Sequence, residues 1–178
     1  FYASHVYQPS FHHGVKTLAF ELFEQVPGVE GGTVVVPAGN GTLVLGLWLG
    51  FGDLVAAGRA GRRRAIVAVQ AERCAPLAGW GPARSVGGTG AAGGTAAGPG
   101  GTAAAGIAIP DPPRAASVRG AVLARGGAVT VVGEEAIVDA RADLHRRGYP
   151  VEATGAVAWA AIRSAWAAGS AELSSSGH

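Results

Sequence analysis

The chain of 178 residues contains no methionine, one cysteine, one lysine and few charges, with Asp, Glu, Lys and Arg making up 15%. A lone Cys74 excludes an internal disulfide framework and a CxxC metal site. It fits a reducing, cytoplasmic setting, which is the expectation here. The net charge is only +2, and no broad basic face with interleaved aromatics is written into the chain, so no nucleic-acid partner is expected. The densest basic run, Arg62-Arg63-Arg64, reads as a solvated turn ahead of a strand. Long apolar runs are also missing. The greasiest stretch, Leu43 to Phe51, contains two glycines and is followed by Asp53; it is too short to span a bilayer and reads as a buried helix. No membrane partner is expected. With no methionine and Phe1 at its head, the sequence is expected to be an internal piece of a longer protein or a chain trimmed at its start.

Hydrophobic residues make up 48% of the chain, the composition of a globular domain. Residues 9 to 26 read helical, with Val15, Leu18, Leu22 and Val26 recurring at spacings of three and four, Ser10 as N-cap and Pro27-Gly28 as stop. Thr33 to Val36 and Ala65 to Val69 read as buried strands, and Ala128 to Val132 as a third. Helices are predicted from Thr42 to about Ala57, over 114–125, from Glu134 to Arg147, and from about Thr154 to Ala168. Glu134 and Glu135 complement the positive end of their helix, and Arg146 and Arg147 the negative end. Strands alternating with helices predict an α/β fold, an open and mainly parallel sheet with helices on both faces. Residues 87–105 are almost wholly Gly, Ala and Thr and read as a low-complexity linker or loop insertion. The expected organisation is a central α/β part over 1–86, that loop, and a C-terminal α/β part of the same domain over 106–178.

The segment richest in chemistry is VVVPAGNGTLVLG, Val34 to Gly46. A strand ends, Gly39 and Gly41 free the backbone, and a helix starts at once. The unpaired N–H groups and positive dipole end of that helix face back toward the loop, and Thr42 adds a hydroxyl. This is a recipe for holding a phosphate. The pattern is neither GxGxxG nor GxxxxGK[ST], which counts against a dinucleotide or a nucleoside triphosphate. Read by itself, the same pattern also suits glycines that only turn a strand into a helix.

YASHVYQPSFHHGVKTLAFELFEQVPG, VVVPAGNGTLVLG, IVAVQAERCAPL, GIAIPDPPR and GYPVEATGAVAWAA resemble, in order, consecutive blocks of the threonine synthase branch of the tryptophan-synthase-β-like enzymes. The resemblance covers nearly all the chain except 87–105. It implies pyridoxal 5'-phosphate as cofactor, a small amino-acid substrate, and a homodimer, the common state of the family. It assigns the cofactor phosphate to Gly39, Asn40, Gly41, Thr42 and Leu43. It assigns the hydroxyl facing the pyridine nitrogen to Ser174, in Glu172-Leu173-Ser174. The family's Schiff-base lysine and the Asn at the ring hydroxyl belong to a block upstream of residue 1.

The implied activity is a lyase converting O-phosphohomoserine into threonine and phosphate, with a related ammonia-lyase or dehydratase, or an inactive remnant, as rivals. Lys16 reads as an exposed helix cation, and Cys74 as a small buried residue. His5, His12 and His13 read as surface or pocket-rim histidines, not a metal site. Glu152 reads as an acid at a helix start with Thr154 as N-cap, or, by the resemblance, as a neighbour of the cofactor ring.

Overall fold

A computed structural model describes residues 4–26, 31–78, 84–86 and 101–169. Along the chain come α1 (Pro9–Val15), α2 (Thr17–Gln25), β1 (Thr33–Pro37), α3 (Thr42–Ala56), β2 (Ala65–Ala71), β3 (Arg84–Val86), a 3₁₀ turn (Ala105–Ile107), α4 (Ala115–Leu123), β4 (Ala128–Val132), α5 (Glu134–Arg146) and α6 (Ala153–Ala167). Among the described residues four strands form one sheet in the order β1-β2-β4-β3, and each pairing between them is parallel. The predicted α/β class is therefore found.

Alternation along the strands builds two cores. Val34, Val36, Ile66, Ala68, Val129 and Val131 pack beneath α2, α3 and α4. Val35, Val67, Val69, Ala71 and Val132 pack beneath α5 and α6. Successive strand residues point to opposite faces, and with helices on both sides neither face is left polar. That is why these strands read as continuous apolar runs. The apolar helix α3 lies against α1 and α2, which approach it closely. A Cβ on Gly46 would collide with Val15, and one on Gly50 with the Lys16 carbonyl and Ala19.

Several expectations are corrected. The helix over 9–26 is two helices meeting at Lys16. Ser10 is not the N-cap. Pro9, which lacks an N–H and has φ fixed near helical values, takes the first turn and leaves the cap position to Gln8. Thr154 is not a cap either. Glu152 holds that position in extended conformation, and Thr154 Oγ1 accepts from the Gly106 amide at 3.2 Å. The Arg62–Arg64 run is not a fully solvated turn: Arg64 is only 4% exposed, and the Arg63 guanidinium lies 4.2 Å from the centre of the Trp48 ring.

The end of the Gly/Ala-rich stretch is built into the fold. Glu134 Oε2 accepts from Thr102 Oγ1 at 3.0 Å and from the Ala103 amide at 2.8 Å, and Ala104 is buried. A carboxylate offers small residues a partner that composition does not reveal. Residues 87–100 lie outside the described residues. So do Pro27-Gly28 and the C-terminal tail. Among the described residues, no helix is long and apolar enough to cross a membrane.

Candidate functional site

The glycine loop sits at the carboxyl edge of β1. The ladder runs one residue past the strand, the Ala38 amide donating to the Val69 carbonyl at 2.9 Å. The Ala38 carbonyl accepts from Gln70 Nε2 at 3.0 Å, and Gln70 Oε1 accepts from the Leu77 amide at 2.9 Å. Gln70 is fully buried, and each end of its amide is satisfied, as a buried polar side chain requires.

Gly39 and Gly41 are needed for two different reasons. A Cβ on Gly39 would stand 3.1 Å from Ile107 Cα and 3.1 Å from Ile109 Cγ1. Gly41 adopts φ +79°, and a Cβ there would run into Val118. That left-handed residue is the N-cap of α3, and its carbonyl accepts from the Leu45 amide at 2.9 Å. Among the described residues no group accepts from the amides of Gly39, Asn40, Gly41, Thr42, Leu43 or Val44. Gly39 and Gly41 are buried while Asn40, Thr42 and Leu43 keep partial exposure, so the loop is walled but not sealed. Donors left over at a helix start, with the positive dipole end behind them, attract an anion.

A strap of residues 4–7 crosses this loop. Asn40 Nδ2 lies 3.4 Å from His5 Nε2, and Thr42 Oγ1 donates to the His5 carbonyl at 3.4 Å. Arg114 holds the strap from the other side, with Nε donating to the Val6 carbonyl at 2.8 Å and Nη2 to the Tyr7 carbonyl at 3.4 Å. His12 lies buried behind it, 5% exposed, with no partner for Nε2 among the described residues. Burial, and then the charge of Arg114, hold its pKa below the usual histidine value.

Gly39, Asn40, Gly41, Thr42 and Leu43 thus come together as a single cradle. Ser174 lies outside the described residues. Lys16 is not the exposed cation expected. Its Nζ pairs with Asp53 Oδ2 at 2.6 Å, and its side chain is 24% exposed. Asp53 is eleven residues along α3 from Thr42, about 16 Å at helical rise, so Lys16 is held far from the cradle. Burial pushes the Cys74 thiol pKa up, away from nucleophile chemistry. Glu152 is exposed, and no metal-ligating cluster exists among the described residues. Sequence reading missed Gln70. The signal was present, since a polar residue inside the apolar run IVAVQA must find partners.

Residues 1–175 match the family described as "Pyridoxal-phosphate dependent enzyme". The chain belongs to that family. Its cofactor is pyridoxal phosphate, and the cradle suits the cofactor's phosphate end: six amides have no acceptor among the described residues, and Gly41 sits where a side chain would not fit. No curated protein matches the sequence. Among solved structures, maize serine racemase is similar at 27% identity with a TM-score of 0.59, over 85% of this chain and 40% of that one. A threonine deaminase from T.th. is similar at 22% identity and TM-score 0.66, over 90% and 54%. A fungal L-serine ammonia-lyase from Rhizomucor miehei is similar at 18% identity and TM-score 0.62, over 86% and 44%. The last two likenesses speak for the fold. This pyridoxal-phosphate family chain spans from 40% to 54% of the length of these structures.

Proposed function

We propose that residues Gly39–Leu43 grip the phosphate of pyridoxal 5'-phosphate, and that the chain is the phosphate-holding part of a lyase acting on an amino acid. The observation that carries this reading is the set of amides around Gly41, at the start of α3, that have no acceptor among the described residues. When bound, the cofactor supplies an electron sink that weakens bonds at the substrate α carbon. The chain's own residues bind and orient. The loop amides, that of Thr42 among them, would donate to the phosphate dianion. Gln70 fixes Ala38, and the His5 strap limits water at the loop. Ser174 is proposed as the neutral partner of the ring nitrogen. We take the imine-forming lysine to lie outside residues 1–178, a reading supported by the pairing of the single lysine with Asp53.

The ordered sequence blocks favour threonine synthase chemistry, with O-phosphohomoserine as substrate. A second reading is an ammonia-lyase or dehydratase, the activities named for two structures that share the fold, threonine deaminase and L-serine ammonia-lyase. Supplying each substrate to the longer protein that carries the imine lysine separates them. Phosphate released from O-phosphohomoserine supports the first, and ammonia with a keto acid from serine or threonine supports the second. Neither product, with cofactor still bound, would leave a non-catalytic remnant. The cradle itself is tested by equilibrium dialysis of pyridoxal phosphate against the chain. Binding that Gly41→Val leaves untouched in a folded protein would refute it.

A further inference from the structure

One short stretch of the chain backs the glycine loop. A Cβ on Gly39 would press on Ile107 and Ile109, and one on Gly41 on Val118. Arg114 belongs to the same stretch. It is the N-cap of α4, and its carbonyl accepts from the Val118 amide at 3.0 Å. Val118 meets the loop directly, whereas Arg114 reaches it through the strap. Its guanidinium spans two carbonyls, Nε donating to Val6 at 2.8 Å and Nη2 to Tyr7 at 3.4 Å. The amides of the same two residues donate to Ser4 Oγ at 3.2 and 3.3 Å, and Ser4 and Val6 are buried. The strap backbone is thus tied on both sides. What it presents to the loop is His5. The His5 carbonyl accepts from Thr42 Oγ1 at 3.4 Å, and the ring lies 3.4 Å from Asn40 Nδ2. That ring is steadied edge-on against Phe11, with centroids 5.9 Å apart.

A loop whose amides lack acceptors among the described residues takes its shape from what surrounds it. Where that shape is held only part of the time, apparent affinity falls with the competent fraction, and a support built beforehand removes the loss. Charge-assisted hydrogen bonds are strong enough to be such a support, and the rigid guanidinium fork has no equivalent in lysine. We propose that Arg114 is a positioning residue for the phosphate cradle. Through Val6 and Tyr7 it holds His5 against Asn40 and Thr42, and so keeps Gly39–Leu43 in the shape that receives a phosphate. Arg114 donates to the strap and not to the ligand. This role rests on the cradle reading for its ligand, while the tie from Arg114 to the loop is measurable with no ligand present.

The test begins on the chain alone, with nitrogen-15 relaxation of the Gly39, Gly41 and Thr42 amides in the parent and in Arg114→Gln. Order parameters near those of rigid backbone, about 0.85, are expected in the parent and below about 0.6 in the variant. The amides of β2 should not change, which shows that the fold persists. Equilibrium dialysis then reads pyridoxal phosphate affinity, expected to fall about tenfold, as for a loop correctly shaped about one-tenth of the time. Thr42→Val cuts the same tie at its other end. Adding Arg114→Gln to it should therefore cost no more than about a further twofold. If Arg114→Gln does not fold, Arg114→Lys, which keeps the charge and loses the fork, takes its place in both measurements and should loosen the same amides. The proposal is overturned by loop amides as rigid in the variant as in the parent, or by losses of affinity that multiply in full in the double variant. A parent chain that binds no pyridoxal phosphate refutes the cradle instead, and the relaxation data still decide whether Arg114 orders the loop.

Discussion

Gln70 Nε2 donates to the Ala38 carbonyl at 3.0 Å, so a fully buried amide in β2 holds the residue immediately ahead of the glycine loop. The same side chain accepts from Leu77 and ties the loop to the segment after β2. Replacing Gln70 with Leu keeps the volume but strands the Leu77 amide and the Ala38 carbonyl. The expected loss of stability is about 1–3 kcal/mol per unsatisfied group, read by denaturant unfolding. Pyridoxal phosphate should also bind more weakly. Unchanged affinity in the folded variant would show that Gln70 does not position the loop.

Gly41 is the most demanding position in the cradle. Any side chain at φ +79° costs about 1–2 kcal/mol before its collision with Val118 is counted. Gly41→Val is expected to remove cofactor phosphate binding, and a phosphorus resonance that still shifts on titration would contradict this.

Gly50 tests packing rather than binding. Gly50→Ala places a methyl against the Lys16 carbonyl and Ala19, an overpacking that costs about 1–3 kcal/mol. The melting temperature should fall by roughly 2–4 °C for each kcal/mol in a domain of this size.

Lys16→Met should leave cofactor binding unchanged, because the Lys16 ammonium is spent on Asp53. The partly exposed pair contributes no more than about 1 kcal/mol. Borohydride reduction followed by peptide mass mapping should find no cofactor adduct on Lys16. An adduct there would move the imine site into this chain.

His12 is buried and held below the ordinary histidine pKa. In the unfolded chain it takes up a proton near pH 6.5, while the folded state resists doing so. The unfolded state then binds more protons, so stability is complete above about pH 6.5 and declines as the pH falls toward the depressed folded value. His12→Gln should flatten that decline in denaturant midpoints measured between about pH 5 and 7.5. A decline as steep as in the parent chain would assign it to another group.

Much of this was legible in the sequence because the strands are covered on both faces. Val34-Val35-Val36 and Ala65 to Val69 carry no polar side, which is the signature of a parallel sheet between helix layers. The glycine loop was legible because a left-handed turn into a helix leaves few alternatives to glycine. Less could be read where a long-range partner decides the outcome. Thr154 reads as a cap until Gly106 claims its hydroxyl. Arg64 reads as solvated, yet the fold leaves it only 4% exposed. Three-residue β3 is bounded by Gly-rich sequence and takes its identity from β4, which no local pattern announces.

Because the described strands all pair in parallel, no two neighbours among them are joined by a tight turn. Thr33 lies beside Ala65 and Val67 beside Ala128, so a whole helix must be threaded before any pair can close. Loop-closure entropy is spent ahead of every ladder. The nascent polypeptide therefore waits, with valine-rich edges uncovered, and the speed of its maturation is set by connectivity more than by the strength of any single contact.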